Sequence, residues 1–199
     1  MRGKFIVIEG IDGSGKGTQT DLLVKFLEDR GIKTKTIHYP EHGNPIGDFI
    51  YDFLKKKFDL NRITQFLMYT ADMTKDVEKI EQWLEEGYYV IADRYFTTTL
   101  AYQGLHLFSL EDCLPLPKIF NMTKADMVVY LKITPDTSLA RKSQQKEMDR
   151  FEEDKEFQSQ LVVHYEKLEN ENVLGNWIRI NGEKTIPEVF EEVKKASGF

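Results

Sequence analysis

The chain is poor in cysteine, in long apolar runs and in net positive charge. It has one cysteine, Cys113, among 199 residues. No intramolecular disulfide can form, which suits a reducing compartment. No partner constellation accompanies Cys113, so it reads as a semi-buried helix residue. The N-terminal apolar run extends only from Phe5 to Ile8, too short for a secretory h-region or a membrane span. No other stretch approaches the roughly 18 apolar residues that a span needs. The net charge is −6, from 27 Lys and Arg against 33 Asp and Glu. That balance opposes a nucleic-acid or anionic-membrane binder, which needs a basic surface, and still allows a local basic cleft. Internal repeats, low-complexity tracts and Gly/Ser linkers are also lacking. The expectation is a cytoplasmic protein of one domain, residues 1–199, carrying a mobile flap.

What is present is an ordinary globular balance, 41% hydrophobic and 30% charged, with enough apolar mass for a full core. "KFIVIEG" is a short apolar run closed by glycine, the pattern of a buried central strand. "TQTDLLVKFLEDRG" places Leu22, Leu23, Phe26 and Leu27 on one helical face and stops at Gly31. "KTKTIHY", "YYVIAD", "DMVVYLKI" and "WIRI" read as further strands. "PIGDFIYDFLKKK", a long helix over 62–86, "TTTLAYQG", "TPDTSLARK", "FEEDKEFQSQLVVHYEKLENE" and "TIPEVFEEVKKA" read as helices. Strands alternating with helices predict an α/β fold, a parallel sheet with helices on both faces. Ligands of such sheets bind beyond the carboxyl ends of the strands. The segment after "KFIVIE", the "HYPEHG" stretch and the "DRY" stretch all fall there.

"GIDGSGKGT", Gly10 to Thr18, has the GxxxxGK spacing between a strand and a helix. Its glycines allow close backbone approach, and amides at the helix N-terminus cradle a phosphate. The nucleotide-binding segment is thus Gly10, Ile11, Asp12, Gly13, Ser14, Gly15, Lys16, Gly17 and Thr18. Lys16 reaches toward the β- and γ-phosphates of a nucleoside triphosphate. Gly17 stands where a hydroxyl normally ligates Mg²⁺. Without that hydroxyl, the ion is left to phosphates, waters and a carboxylate. Thr18 either contacts a phosphate oxygen or simply stabilises the first helical turn.

"DRYFTTTLAYQG" is the second cluster. Asp93, at a strand end beside the loop, suits Mg²⁺ binding through water. Arg94 can clamp phosphates bidentately. Tyr102 can cover a base or block a ribose hydroxyl, and Gln103 can read a pyrimidine edge. The bland alternative is an Asp–Arg ion pair and a core tyrosine.

With these motifs the chain resembles the thymidylate kinase family. The matching residues are Glu9-Gly10-Ile11-Asp12 with Gly15-Lys16, then Asp93-Arg94-Tyr95 with Thr98, Ala101, Tyr102 and Gln103, then Asp149-Arg150-Phe151-Glu152. The resemblance implies a P-loop NTPase fold with about five parallel strands and a short basic lid. It also implies transfer of the γ-phosphate of Mg-ATP to dTMP, giving dTDP and ADP. By the same resemblance Asp12 helps position the acceptor, Lys16 and Arg94 bind the reacting phosphates, and Tyr69 stacks on thymine. Thr98 and Gln103 lie at the base, Tyr102 disfavours a ribose 2′-hydroxyl, and Pro40-Glu41-His42 forms a loop at the acceptor phosphate. A homodimer is implied too, with the 62–86 helix and the helix after Arg94 as candidate surfaces.

Three positions depart from the family pattern. Gly17 replaces Ser/Thr, Met73 stands in "ADM" where the family commonly has an arginine, and His42 stands where arginine is frequent. The lid, about 141–152, carries Arg141, Lys142, Lys146 and Arg150. Gly13 excludes an arginine inside the phosphate loop at that position, so lid cations must supply the charge. Arg141 and Arg150 are the expected catalytic pair, with Lys146 secondary. The alternatives are another nucleoside monophosphate kinase, argued by the GKGTQ sequence, and a GTP-binding switch, hinted at by "TKAD" at 123–126. The latter motif precedes its strand rather than following one, which counts against the switch.

Overall fold

The structure, a computed structural model, describes residues 2–143, 150–151 and 154–199. Its five strands are β1 (Phe5–Glu9), β2 (Thr34–His38), β3 (Tyr89–Asp93), β4 (Ala125–Lys132) and β5 (Gly175–Asn181). They form one sheet in the order β2-β3-β1-β4-β5, every pairing parallel. The α/β expectation and the strand count are both met.

β1 is buried along its whole length because both sheet faces are covered. Phe5 and Val7 enter the core on one face, Ile6 and Ile8 on the other, as the two-residue period of a strand requires. One face is covered by helices α1 (Lys16–Glu28) and α10 (Ile186–Ala196), which contribute Leu23, Leu27, Val189 and Val193. The opposite face receives α3 (Arg62–Thr74), α4 (Val77–Glu85), α5 (Phe96–Tyr102) and α9 (Lys155–Asn170) through Phe66, Ile80, Leu100 and Leu161. Each fully buried side chain of this kind contributes about 1.5–3 kcal/mol.

Helix α2 (Pro45–Leu54) starts as its sequence predicts. Asn44 caps it through Ile46 N and Gly47 N, with Pro45 in the first turn where a missing N–H costs nothing. Helix α8 (Pro135–Lys142) repeats the device with Thr134 as the cap. Two four-residue helices, α6 (Leu110–Cys113) and α7 (Leu116–Ile119), escape sequence reading. Cys113 lies on α6 as the expected helix residue, but it is fully rather than half buried.

The single helix expected over 62–86 is corrected to two, α3 and α4, broken at Lys75 and Asp76. The cause is tertiary. Asp76 is buried and accepts the Tyr39 hydroxyl at 3.1 Å and Lys75 Nζ at 2.6 Å. Its backbone oxygen begins the next helix by accepting Ile80 N. The first helix stops here because the Asp72 carbonyl, which Asp76 N would need, accepts Lys75 Nζ at 2.7 Å, and Asp76 N bonds the Met73 carbonyl at 3.2 Å instead, although the apolar period runs on unbroken.

Candidate active site

The sheet order brings the carboxyl ends of β1, β2 and β3 side by side, with Ile8 opposite Asp93 and His38 opposite Asp93 in register. The loop from β1 to α1 uses left-handed backbone at Gly10, Gly13 and Gly15. A Cβ at Gly10 would lie 2.6 Å from the Leu131 carbonyl oxygen, so only glycine fits there. Gly15 is the N-cap of α1 and offers no side-chain cap. The first amides of α1 are therefore free for an anion. The Ser14 hydroxyl is buried without a partner among the described residues.

Lys16 is buried and donates to the Ile11 carbonyl at 3.0 Å across its own loop. Burial and the neighbouring Arg94 charge pull its ammonium down to about 8, against the partial support of Asp12, Asp93 and Glu9. Arg94 pairs with Asp12, and the Tyr102 hydroxyl donates to the other Asp12 oxygen at 2.9 Å. Burial would raise the Asp12 carboxyl, but Arg94, Lys16, Lys142 and the Tyr102 bond outweigh it and hold it at about 2. Arg94 stays charged, because Asp12 overcomes the burial that would lower it.

Asp93 lies at the end of β3 beside Gly17. Its Oδ2 is 3.6 Å from His38 Nδ1, and its buried Oδ1 has no hydrogen-bond partner among the described residues. Burial acts to raise its pKa, and His38, Lys16 and Arg94 together lower it below the usual carboxylate value. Oδ2 is the oxygen that faces Gly17, 3.4 Å from where a Cβ would stand, and a deprotonated carboxylate there fits a magnesium held through water. No cluster of three or more His, Cys, Asp or Glu able to hold a metal occurs among the described residues.

Two cavities meet at this point. The larger, ≈ 720 Å³, is floored by Asp12, Gly13, Gly15, Lys16, Gly17 and Thr18, and bounded by His38, His42, Asp93 and Arg94. The second, ≈ 310 Å³, is lined by Tyr69, Met73, Thr98, Tyr102, Gln103 and Phe151. Asp12, Tyr39, Pro40, Tyr51, Arg94 and Lys142 line both. Gln103 Oε1 is buried without a hydrogen-bond partner among the described residues. Met73 is buried, its sulfur accepting the Thr99 hydroxyl at 3.4 Å.

The loop carrying Pro40 is anchored to the α3–α4 junction. Lys75 Nζ meets Glu41 at 2.8 Å, Asp72 at 3.0 Å and Asp76 at 2.6 Å, while Asp72 Oδ2 accepts Glu41 N at 3.0 Å. Burial opposes the Lys75 charge, but the three carboxylates raise its pKa above normal. On the other side, the Tyr51 hydroxyl donates to the Pro40 carbonyl at 2.9 Å. The Tyr51 ring stacks on His42 with centroids 3.4 Å apart.

Not every expected residue converges. Arg141 donates to the Gly13 carbonyl and to the Gly182 carbonyl, each at 3.0 Å, so it braces the phosphate loop from behind. Arg150 pairs with Asp59 at 2.6 Å and donates to the Phe58 carbonyl at 3.0 Å. It lines neither of the two joined cavities but a smaller neighbour shared with Tyr102 and Gln103. Thr98 lines the second cavity, but its hydroxyl donates inward to Glu9 at 2.6 Å. Lys146, like Asp149 and Glu152, lies outside the described residues. His38 and Tyr51 are site residues that motif reading missed. The signal for His38 was its place at the carboxyl end of a strand; Tyr51 gave none.

Comparison with known proteins agrees with this geometry. A family model described as thymidylate kinase matches residues 8–193. The thymidylate kinase of Thermosipho melanesiensis is 34% identical, over 96% of this chain and 96% of that protein. That of Danio rerio is 32% identical, over 98% of this chain and 90% of the relative. The structure of Candida albicans thymidylate kinase superposes with a TM-score of 0.79 at 24% identity, covering 98% of this chain and 90% of that one. A phosphate loop joined to a second cavity, and a family match spanning nearly the whole sequence, agree: the chain belongs to the thymidylate kinase family.

Proposed function

We propose that this chain phosphorylates dTMP to dTDP with the γ-phosphate of Mg-ATP. The observation that carries the reading is the junction of the two cavities at Asp12 and Arg94. The phosphate loop on one side suits a triphosphate, and the aromatic pocket on the other suits a nucleoside monophosphate. Phosphoryl transfer to an already ionised phosphate needs alignment and charge neutralisation, not a strong general base. Lys16 and Arg94 supply that charge at the junction. Asp12 holds Arg94 there and, with Tyr102, shapes the acceptor's sugar end. Asp93 would hold magnesium through water, and the ion would supply charge neutralisation to the phosphates.

In the second cavity Tyr69 offers a ring face to the base, and Gln103 Oε1, without a hydrogen-bond partner among the described residues, offers a hydrogen-bonding edge. His42 and Pro40 border the acceptor phosphate, and Thr98 acts through its contacts with Arg94 rather than on the base. Arg141 shapes the phosphate loop. Arg150 reaches the phosphates once it leaves Asp59, with residues of about 141–152 acting as a lid on a single domain.

A second copy of the chain is the proposed partner, seated on the exposed face of α3 at Ile63 and Leu67, 62% and 53% exposed. The proposed location is the cytoplasm; no helix among the described residues is long and apolar enough to cross a membrane. A second reading, a broader acceptor range, is favoured by Met73 and His42, which replace cations at the acceptor. The test is ADP release from Mg-ATP with dTMP, dUMP, UMP, CMP, GMP and AMP in turn. A preference for dTMP supports the proposal, comparable rates with several pyrimidines support the broader reading, and turnover without acceptor refutes both.

A further inference from the structure

Glu9, the last residue of β1, is fully buried, where a carboxylate ordinarily has a cation beside it. Its carboxylate instead collects four neutral donors. Oε1 accepts Tyr95 N at 3.0 Å and the Thr97 hydroxyl at 2.5 Å. Oε2 accepts the Thr98 hydroxyl at 2.6 Å and the Tyr165 hydroxyl at 3.0 Å. Three of these donors belong to the turn that opens α5, and the fourth comes from α9.

That turn carries Arg94, whose φ of 69° lies in the left-handed region. A non-glycine residue there is strained and persists only when its surroundings over-determine it. β1 supplies the restraint on both sides of the strained residue. Arg94 N donates to the Ile8 carbonyl at 3.0 Å, and the next amide, Tyr95 N, donates to Glu9. The guanidinium is tied to the same group by one intermediary: Arg94 Nη1 approaches the Thr98 hydroxyl at 3.4 Å, and that hydroxyl donates to Glu9. Tyr95, the N-cap of α5, makes no side-chain cap of its own, and Glu9, from β1, accepts the N-cap amide as the N3 side chain of a capping box does.

We propose that Glu9 is the positioning residue of Arg94, holding both its backbone turn and its guanidinium at the junction of the two cavities. Glu9 lines neither cavity. It fixes the distance between the phosphate loop, which follows it directly, and the arginine that faces that loop. The inference rests on the reading that Arg94 contacts the reacting phosphates.

The test is a double-mutant cycle on turnover with Glu9→Gln, Arg94→Lys and their combination. Glutamine keeps the shape but weakens acceptance of four donors, so Glu9→Gln should lower kcat about tenfold or more, with the KM for ATP little changed. In the Arg94→Lys background the same change should cost less than about twofold, because the positioned group is already gone. An equal loss in both backgrounds, or no loss in the parent, overturns the proposal and leaves Glu9 a structural residue. If Arg94→Lys alone leaves turnover unchanged, the role of Arg94 fails first and the proposal falls with it. Thr97→Val, which removes one donor to Glu9 and lines neither cavity, replaces Glu9→Gln if that variant does not fold. Its smaller loss must likewise vanish in the Arg94→Lys background, and persistence there refutes the coupling.

Discussion

Gly17→Ser should improve this protein in two measurable ways. A Cβ at Gly17 meets only Asp93 Oδ2, at 3.4 Å, an ordinary contact, so the side chain enters without displacing anything. Gly17 lies in the first turn of α1, where replacing glycine gains a few tenths of a kcal/mol, less than the ~0.5 of a helix interior. The serine hydroxyl can donate to the Asp93 carboxylate, worth about 1 kcal/mol in a cleft that is open to water. Together about 1.3 kcal/mol should raise Tm by about 3–5 °C for a chain of this length. Thermal unfolding without nucleotide measures this. With Mg-ATP the same hydroxyl gains access to the ion beside Asp93, and the Mg²⁺ concentration for half-maximal turnover should fall by about tenfold. An unchanged or lower Tm would contradict the contact. An unmoved magnesium dependence would show that the ion is not held beside Asp93, even if Tm rises.

Lys16 is charged below pH 8 and loses its proton as the pH rises through about 8. Bound triphosphate raises that pKa, so ATP affinity should weaken up to about tenfold per pH unit above it. Titration calorimetry that shows flat affinity to about pH 9.5 would remove the Lys16–phosphate contact. Lys75→Met leaves Glu41, Asp72 and Asp76 facing one another. With Lys75 22% exposed, the cost should be about 2 kcal/mol, below that of a fully buried pair, lowering Tm by about 4–8 °C. No loss of Tm would mean the carboxylates find other partners. Tyr102→Ala should raise the use of ribonucleotide over deoxyribonucleotide acceptors about tenfold, and an unaltered ratio would refute the steric role of the ring.

Much of the architecture was legible because it is written locally. The β1 run, the glycine loop and the capped starts of α2 and α8 each depend on a few adjacent residues, and each stands where the sequence put it. What was hidden depends on distant partners. The α3–α4 break follows from Lys75 Nζ taking the Asp72 carbonyl while Tyr39 and Lys75 anchor the Asp76 carboxylate, and no periodicity reports such a capture. Tyr51 enters the site because its hydroxyl finds the Pro40 carbonyl. Thr98 matches the motif, yet its hydroxyl is committed to Glu9, 89 positions away. Motif spacing located the right residues but could not say which way their side chains turn.

The positions of Met73 and His42 bear on how such a site selects its acceptor. Among the described residues, the only Lys or Arg side chains lining the second cavity are Arg94 and Lys142, and both also line the first. The far wall, with Tyr69 and Met73, is uncharged. On the proposed function, the acceptor phosphate therefore draws on cations that also serve the donor, so binding the acceptor and aligning it for transfer become one event. Discrimination between bases then falls to neutral groups, above all the Gln103 oxygen, which has no partner among the described residues. A site that hydrogen-bonds its substrate rejects an analogue lacking the matching donor far more strongly than an apolar pocket rejects a missing methyl. The hydrogen-bonding edge of the base should thus be read more sharply than the 5-methyl group that separates dTMP from dUMP.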